Sequence, residues 1–185
     1  KRMGNVAPYL FAKMNETKAR LREQGVDIID MSIGDPDRPT PRHIIERLYK
    51  AAQDPANHRY PPYEGTLEFK TSVANYYAKR FGVTLDPKTE VMTLIGSKEG
   101  LTHLIWALVG EGQYALVPDP GYPVYATQVG LSGGSLYKMP LLAKNGYLPV
   151  LEDIPSDVAS KASLMLLNYP NNPTAAVADL SFFKK

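Results

Sequence analysis

Gly96-Ser97-Lys98-Glu99-Gly100 is the stretch of this chain with the clearest chemical use. The apolar run 91–95 precedes it and reads as a strand. Leu101, Leu104, Ile105 and Leu108 follow at the spacing of one helix face. A chain that turns from strand into helix leaves backbone N–H groups unpaired at the helix start. Those donors and the positive end of the helix dipole suit a phosphate. Gly96 lets the backbone come close, Ser97 adds a hydroxyl and Lys98 adds a cation. The competing reading of the same residues is an ordinary strand-to-helix turn with a serine cap. Neither the G-x-x-x-x-G-K spacing of a Walker loop nor the G-x-G-x-x-G spacing of a dinucleotide loop is present.

Two further loops carry residues of use to a planar ligand. Pro120-Gly121-Tyr122 offers an aromatic face. Asn171-Asn172-Pro173 offers a side-chain amide that can donate to a ring oxygen. With the phosphate turn they form a set suited to a phosphorylated aromatic molecule. Singly, Tyr122 reads as a packing aromatic, Asn172 as a turn former, and Tyr60 and Tyr9 as turn and core residues. Their joint occurrence on loops at one sheet edge argues for a site.

The elements that must position these loops follow from periodicity and punctuation. The span 8–24 reads as a helix stopped by Gly25, and 26–33 as a short strand. Thr40-Pro41 reads as a helix start, with Thr40 as cap and the helix running to about Ala52. Thr66 caps a helix that Gly82 ends. After the phosphate turn come a strand at 114–117, a helix at 122–129 and a strand at 135–139. An Asn145-Gly146 turn, a buried strand at 164–167 and an opening helix from Leu180 complete the order. Strands alternating with helices predict an α/β fold with a mainly parallel, doubly wound sheet. In such a sheet the ligand sits at the carboxyl ends of the strands.

Bulk composition narrows the class. The 185 residues are 44% hydrophobic and 22% charged, as in a soluble globular protein. A net charge of +2 gives no argument for nucleic acid or a membrane surface. No apolar run has the length of a membrane span, and no signal-type segment follows Lys1-Arg2-Met3-Gly4. With no cysteine there is no disulfide framework or thiolate metal site, and the expected compartment is the cytoplasm. His43, His58 and His103 lack ligand spacing, so no metal is expected. The 16 prolines gather beside periodic segments, which makes rigid loops rather than linkers.

Taken together, the motifs resemble those of a known family. Asn171-Asn172-Pro173-Thr174 resembles the N-P-T-G signature of fold-type I pyridoxal-phosphate aminotransferases. The phosphate turn, Asp119-Pro120-Gly121-Tyr122-Pro123-Val124-Tyr125, Tyr9-Leu10-Phe11-Ala12 and His58-Arg59-Tyr60-Pro61 with Tyr63-Glu64-Gly65 are similar, in order, to the LL-diaminopimelate aminotransferase branch. The resemblance covers this chain but only about the N-terminal half of that family's length. It implies a partial fold-type I transferase: an N-terminal arm and small-domain segment at 1–45 and an incomplete large domain at 46–185. The implied cofactor is pyridoxal 5'-phosphate. Ser97 and Lys98 match its phosphate-binding turn, Tyr122 the aromatic stacked on its ring, and Asn172 the amide on its phenolic oxygen. Tyr60 matches a tyrosine that reaches the cofactor phosphate of the neighbouring subunit, so a homodimer is implied. Tyr9 and Gly34 match positions that contact substrate. The bonds before Pro120 and Pro173 match ones often cis in the family.

The resemblance also implies what to expect of catalysis. Transamination needs a Schiff-base lysine, an acid beside the pyridine nitrogen and an arginine for the substrate carboxylate. In the family all three lie in the second half, so the Schiff-base lysine is expected beyond Lys185. The parent is expected to move an amino group between an amino acid and a 2-oxo acid, with LL-diaminopimelate/tetrahydrodipicolinate and glutamate/2-oxoglutarate as the substrates. Aspartate, aromatic or succinyl-diaminopimelate aminotransferases, a non-catalytic fragment that binds a phosphate or pairs with a partner half, and a nucleotide-binding α/β domain are the alternatives. The chain alone is expected to be inactive and, with an unpaired sheet edge, to self-associate. Ala175 departs from the pattern, which has glycine there. If the position needs positive φ, alanine costs about 1 kcal/mol.

Overall fold

A central strand flanked by parallel neighbours organises the second half of the chain. β1 (Tyr114–Asp119) pairs in parallel with β2 (Ser135–Pro140) and β3 (Ala162–Met165), in the order β2-β1-β3. The register sets Leu116 beside Tyr137 and Met165. β1 lies in the middle, so residues on both of its faces are buried, which is why it reads as an apolar run. The computed structural model describes residues 10–32, 34 and 36–185.

Helices lie on both faces of this sheet, unequally. α4 (Ser97–Leu108) and α5 (Val124–Ser132) cover one face. There Ile105, Val109, Tyr125 and Val129 pack with Ala115, Val117 and Leu166 into the main core. The other face is thinner: Leu116 and Met139 pack with Val158 of the four-residue α6 (Ser156–Ala159). The chain leaves α5 through Gly133 in the left-handed region (φ 89°), a conformation that costs glycine least.

By internal packing the described residues form two compact units, one covering 10–93 and the other from Leu94 to Lys185. The first holds α1 (Leu10–Glu23), α2 (Arg42–Ala52) and α3 (Leu67–Phe81). At the start of α3 the Thr66 hydroxyl accepts from the Phe69 N–H at 3.4 Å, and Gly82 ends the helix at φ 69°. Both expected signals act as read. α2 buries no residue, and Ile44, Ile45, Leu48 and Tyr49 stand exposed along it.

Five expectations about elements are corrected. The run 91–95 is not a strand: no strand pairs with it among the described residues, and Ile95 is 98% exposed. A strand exists through its partners, and among the described residues this run has Thr93 N–H on the Glu64 carbonyl and Ile95 N–H on Glu99 Oε2 but no ladder. The described part of 26–33 is also not a strand; Asp30 accepts from Ser32 and pairs with Lys18 of α1 at 2.8 Å. Pro41, not Thr40, caps α2, and no side-chain cap bond forms. The strand expected at 164–167 sits two residues earlier, although Leu166 N–H still bonds Leu116 O at 2.9 Å. From Leu180 there is no α-helix but a 3-10 turn at Phe182–Lys184. Asp179 Oδ1 takes both the Phe182 N–H and the Ser181 hydroxyl, closing the chain tightly.

Candidate functional site

The phosphate turn is built by a glycine that no other residue replaces easily. Gly96 caps α4 at φ 136° and ψ 162°, with no side-chain cap bond. Ser97 is therefore the first helical residue and not the cap. Its N–H and that of Lys98 have no intrahelical acceptor, as at any helix start. Among the described residues the Ser97 hydroxyl has no hydrogen-bond partner and Lys98 no ion pair; both side chains are exposed. Glu99 folds back to accept from Ile95 N–H at 2.6 Å. Its carboxylate also sits where the helix dipole favours an anion, in partial competition with a ligand anion.

The aromatic turn leaves the carboxyl end of β1. Asp119–Pro120 is a cis bond, and Gly121 follows. A Cβ on Gly121 would collide with the Pro118 carbonyl oxygen, so the tightness of this reversal requires glycine. Tyr122 comes next, half-buried, and its carbonyl accepts from Tyr125 N–H at 3.1 Å to open α5. The two rings meet edge to face at 5.7 Å. Burial, and then the neighbouring Tyr122, push the Tyr125 hydroxyl above the usual tyrosine range.

The amide turn leaves the carboxyl end of β3. Asn171 is buried, and its Nδ2 donates to Thr174 Oγ1 at 2.9 Å. The Asn172–Pro173 bond is cis, as is Tyr169–Pro170, which the sequence reading does not anticipate. Ala175 takes φ 58°, the left-handed conformation expected to strain alanine.

These three turns meet. Ser97, Leu101, Tyr122, Tyr125, Leu167, Asn168 and Asn172 line one cavity of about 500 Å³. Lys98 is beside the cavity in sequence but is not among its lining residues. Gly34 and Tyr60 belong to the other unit and are exposed. Tyr9 lies outside the described residues. The reading from sequence missed Leu101, Leu167 and Asn168 as lining residues and named Tyr125 only within a motif. The i, i+3 spacing of Tyr122 and Tyr125 at a helix start is a usable signal; Asn168 carries none beyond its place four residues before Asn172.

The lining has hydroxyl and amide donors and two phenol rings, and among the described residues no other ionisable acid or base. It can hold a neutral or anionic planar molecule by shape and hydrogen bonds. Among the described residues no lysine lines it.

Comparison with known proteins gives the same direction. The family model for aminotransferase class I and II matches residues 26–185. LL-diaminopimelate aminotransferase of Moorella thermoacetica is 56% identical over the whole chain, which spans 47% of that protein. The same enzyme of Aquifex aeolicus is 51% identical and is spanned to 48%. Among solved structures, substrate-bound BacF of Bacillus subtilis superposes with a TM-score of 0.92 at 42% identity, over 98% of this chain and 46% of that one. A probable N-succinyldiaminopimelate aminotransferase of Thermus thermophilus gives 0.87 at 39%, over 95% of this chain and 47% of that one. The chain spans about half the length of the curated relatives it matches. By the residues matched and the fold shared, the chain belongs to the class I and II aminotransferases, a family of fold-type I pyridoxal-phosphate enzymes.

Proposed function

We propose that this chain is the N-terminal half of an LL-diaminopimelate aminotransferase and carries the non-covalent part of its cofactor site. The observation behind this reading is the convergence of Ser97, Tyr122 and Asn172 on one cavity. Pyridoxal 5'-phosphate fits that donor set. The Ser97 hydroxyl and the free N–H groups of α4 donate to its phosphate, with Lys98 supplying charge from the first turn. The Tyr122 face covers one side of the ring and keeps water from it. The Asn172 amide donates to the phenolic oxygen and favours its ionised form. Bound there, the cofactor supplies the electron sink that amino-group transfer requires. Among the described residues the cavity lining has no lysine, histidine or carboxylate, so these side chains bind and orient rather than move the proton.

In the parent, the amino group moves between LL-diaminopimelate/tetrahydrodipicolinate and glutamate/2-oxoglutarate. Identity above 50% to enzymes of that name favours this substrate pair over the N-succinylated one, where identity is 39%. Residues 1–45 serve as arm and small-domain segment and 46–185 as part of the large domain. Tyr9 and Gly34 contact substrate. Tyr60, fully exposed, extends to the phosphate of a second subunit in a cytoplasmic homodimer. No helix among the described residues is long and apolar enough to cross a membrane.

Coexpression with the C-terminal half of the Moorella thermoacetica relative is the direct test. Amino transfer from glutamate to tetrahydrodipicolinate should return, and Ser97→Ala should then raise the cofactor concentration for half-activity about tenfold, one lost charge-assisted bond. Good aspartate turnover without tetrahydrodipicolinate turnover rejects the substrate assignment. No activity with any amino donor from a soluble complex rejects the enzyme reading.

A further inference from the structure

We propose that Asn168 is a positioning residue whose side-chain carbonyl fixes the backbone of Asn172 at the cavity. The purpose of that positioning rests on the ligand reading above; the hydrogen bond does not. The loop 171–176 closes on itself: Asn171 N–H bonds Ala176 O at 2.8 Å, and Ala175 N–H bonds Asn171 O at 2.7 Å. Asn171 Nδ2 adds the bond to Thr174 Oγ1 at 2.9 Å. None of these touches Asn172. Among the described residues its backbone is held by one hydrogen bond, N–H to Asn168 Oδ1 at 3.1 Å. Pro173, next in the chain, has no N–H to offer.

The direction of this bond is fixed by chemistry. A backbone N–H only donates, so the atom of Asn168 facing it must be the carbonyl oxygen. Asn168 is half-buried and lines the same cavity as Asn172. Asn172 itself is exposed, and its side-chain amide has no hydrogen-bond partner among the described residues. A free amide on an exposed loop presents a donor to a fixed point only when its backbone is held. Asn168 supplies that hold from the end of β3, four residues upstream on the same rim.

Amide hydrogen exchange by NMR on the full chain tests the hold directly. Asn168→Ala should speed exchange of the Asn172 N–H about tenfold, while the Leu116 and Val117 amides of β1 stay as in the wild type. Asn168→Asp, which keeps an acceptor, should restore slow exchange. Unchanged exchange at Asn172 in Asn168→Ala, or acceleration at Leu116 and Val117 to the same extent, overturns the proposal. A parallel titration with pyridoxine 5'-phosphate separates the two readings. Shifts at Ser97, Tyr122 and Asn172 that need about tenfold more ligand in both Asn172→Ala and Asn168→Ala support positioning for a ligand. Binding that Asn168→Ala leaves unchanged overturns that purpose and leaves the cofactor reading standing. No shift in the wild-type chain defeats the cofactor reading, whatever the exchange data give.

Discussion

Single residues decide where this site is strained and where it is free. Ala175 closes the amide turn at φ 58°, a conformation that crowds its Cβ against the backbone. Glycine removes that crowding but adds freedom to the unfolded chain, and the two effects oppose each other. Ala175→Gly should therefore stabilise the fold by only about 0.5 kcal/mol in urea unfolding. A loss of stability there would mean that the loop does not hold this conformation in solution. Tyr147 shares the sign of φ, at 58°, but follows Gly146 on a turn away from the cavity.

At the scale of elements, the site depends on how α4 and α5 sit on β1. Ile105 is wholly buried between them, in one core with Val109, Val129 and Val117. Cutting it to alanine leaves a cavity under the helix that presents Ser97. Ile105→Ala should cost about 2–5 kcal/mol, read from the denaturant midpoint. Local signals placed α3, β1, α5 and β2 well, because caps, glycine stops and an apolar central strand act within a few residues. They failed at 26–33 and 91–95. There the pattern of a strand was present, but its hydrogen-bonding partner was not among the described residues. Apolar alternation states what a segment can bury, not what lies beside it.

The whole molecule leaves apolar surface uncovered. α2 has no buried residue, and Leu48 and Tyr49 are about 70% and 69% exposed. Such a stripe on a helix is normally buried against something. The chain should associate with itself as its concentration rises, and Ile45→Lys with Leu48→Lys should reduce that association in sedimentation velocity. A wild-type chain that stays monomeric at about 100 μM, a concentration at which weak protein contacts of about −5.5 kcal/mol are half-formed, would mean that this face needs no partner.

Motif order along the chain was enough to identify the family, the cofactor class and the three turns, because each turn uses residue types whose chemistry is local: a glycine at φ 136°, an aromatic after a tight reversal, an amide before a proline. Tertiary structure alone decided that Ser97, Tyr122 and Asn172 share a cavity, that Lys98 does not line it, and that Asn168 holds Asn172. The shared cavity joins segments more than twenty residues apart, brought together by how the sheet orders its strands and how the helices pack on it, whereas the Asn168–Asn172 bond spans four residues and follows from the path of one loop. No local pattern encodes them.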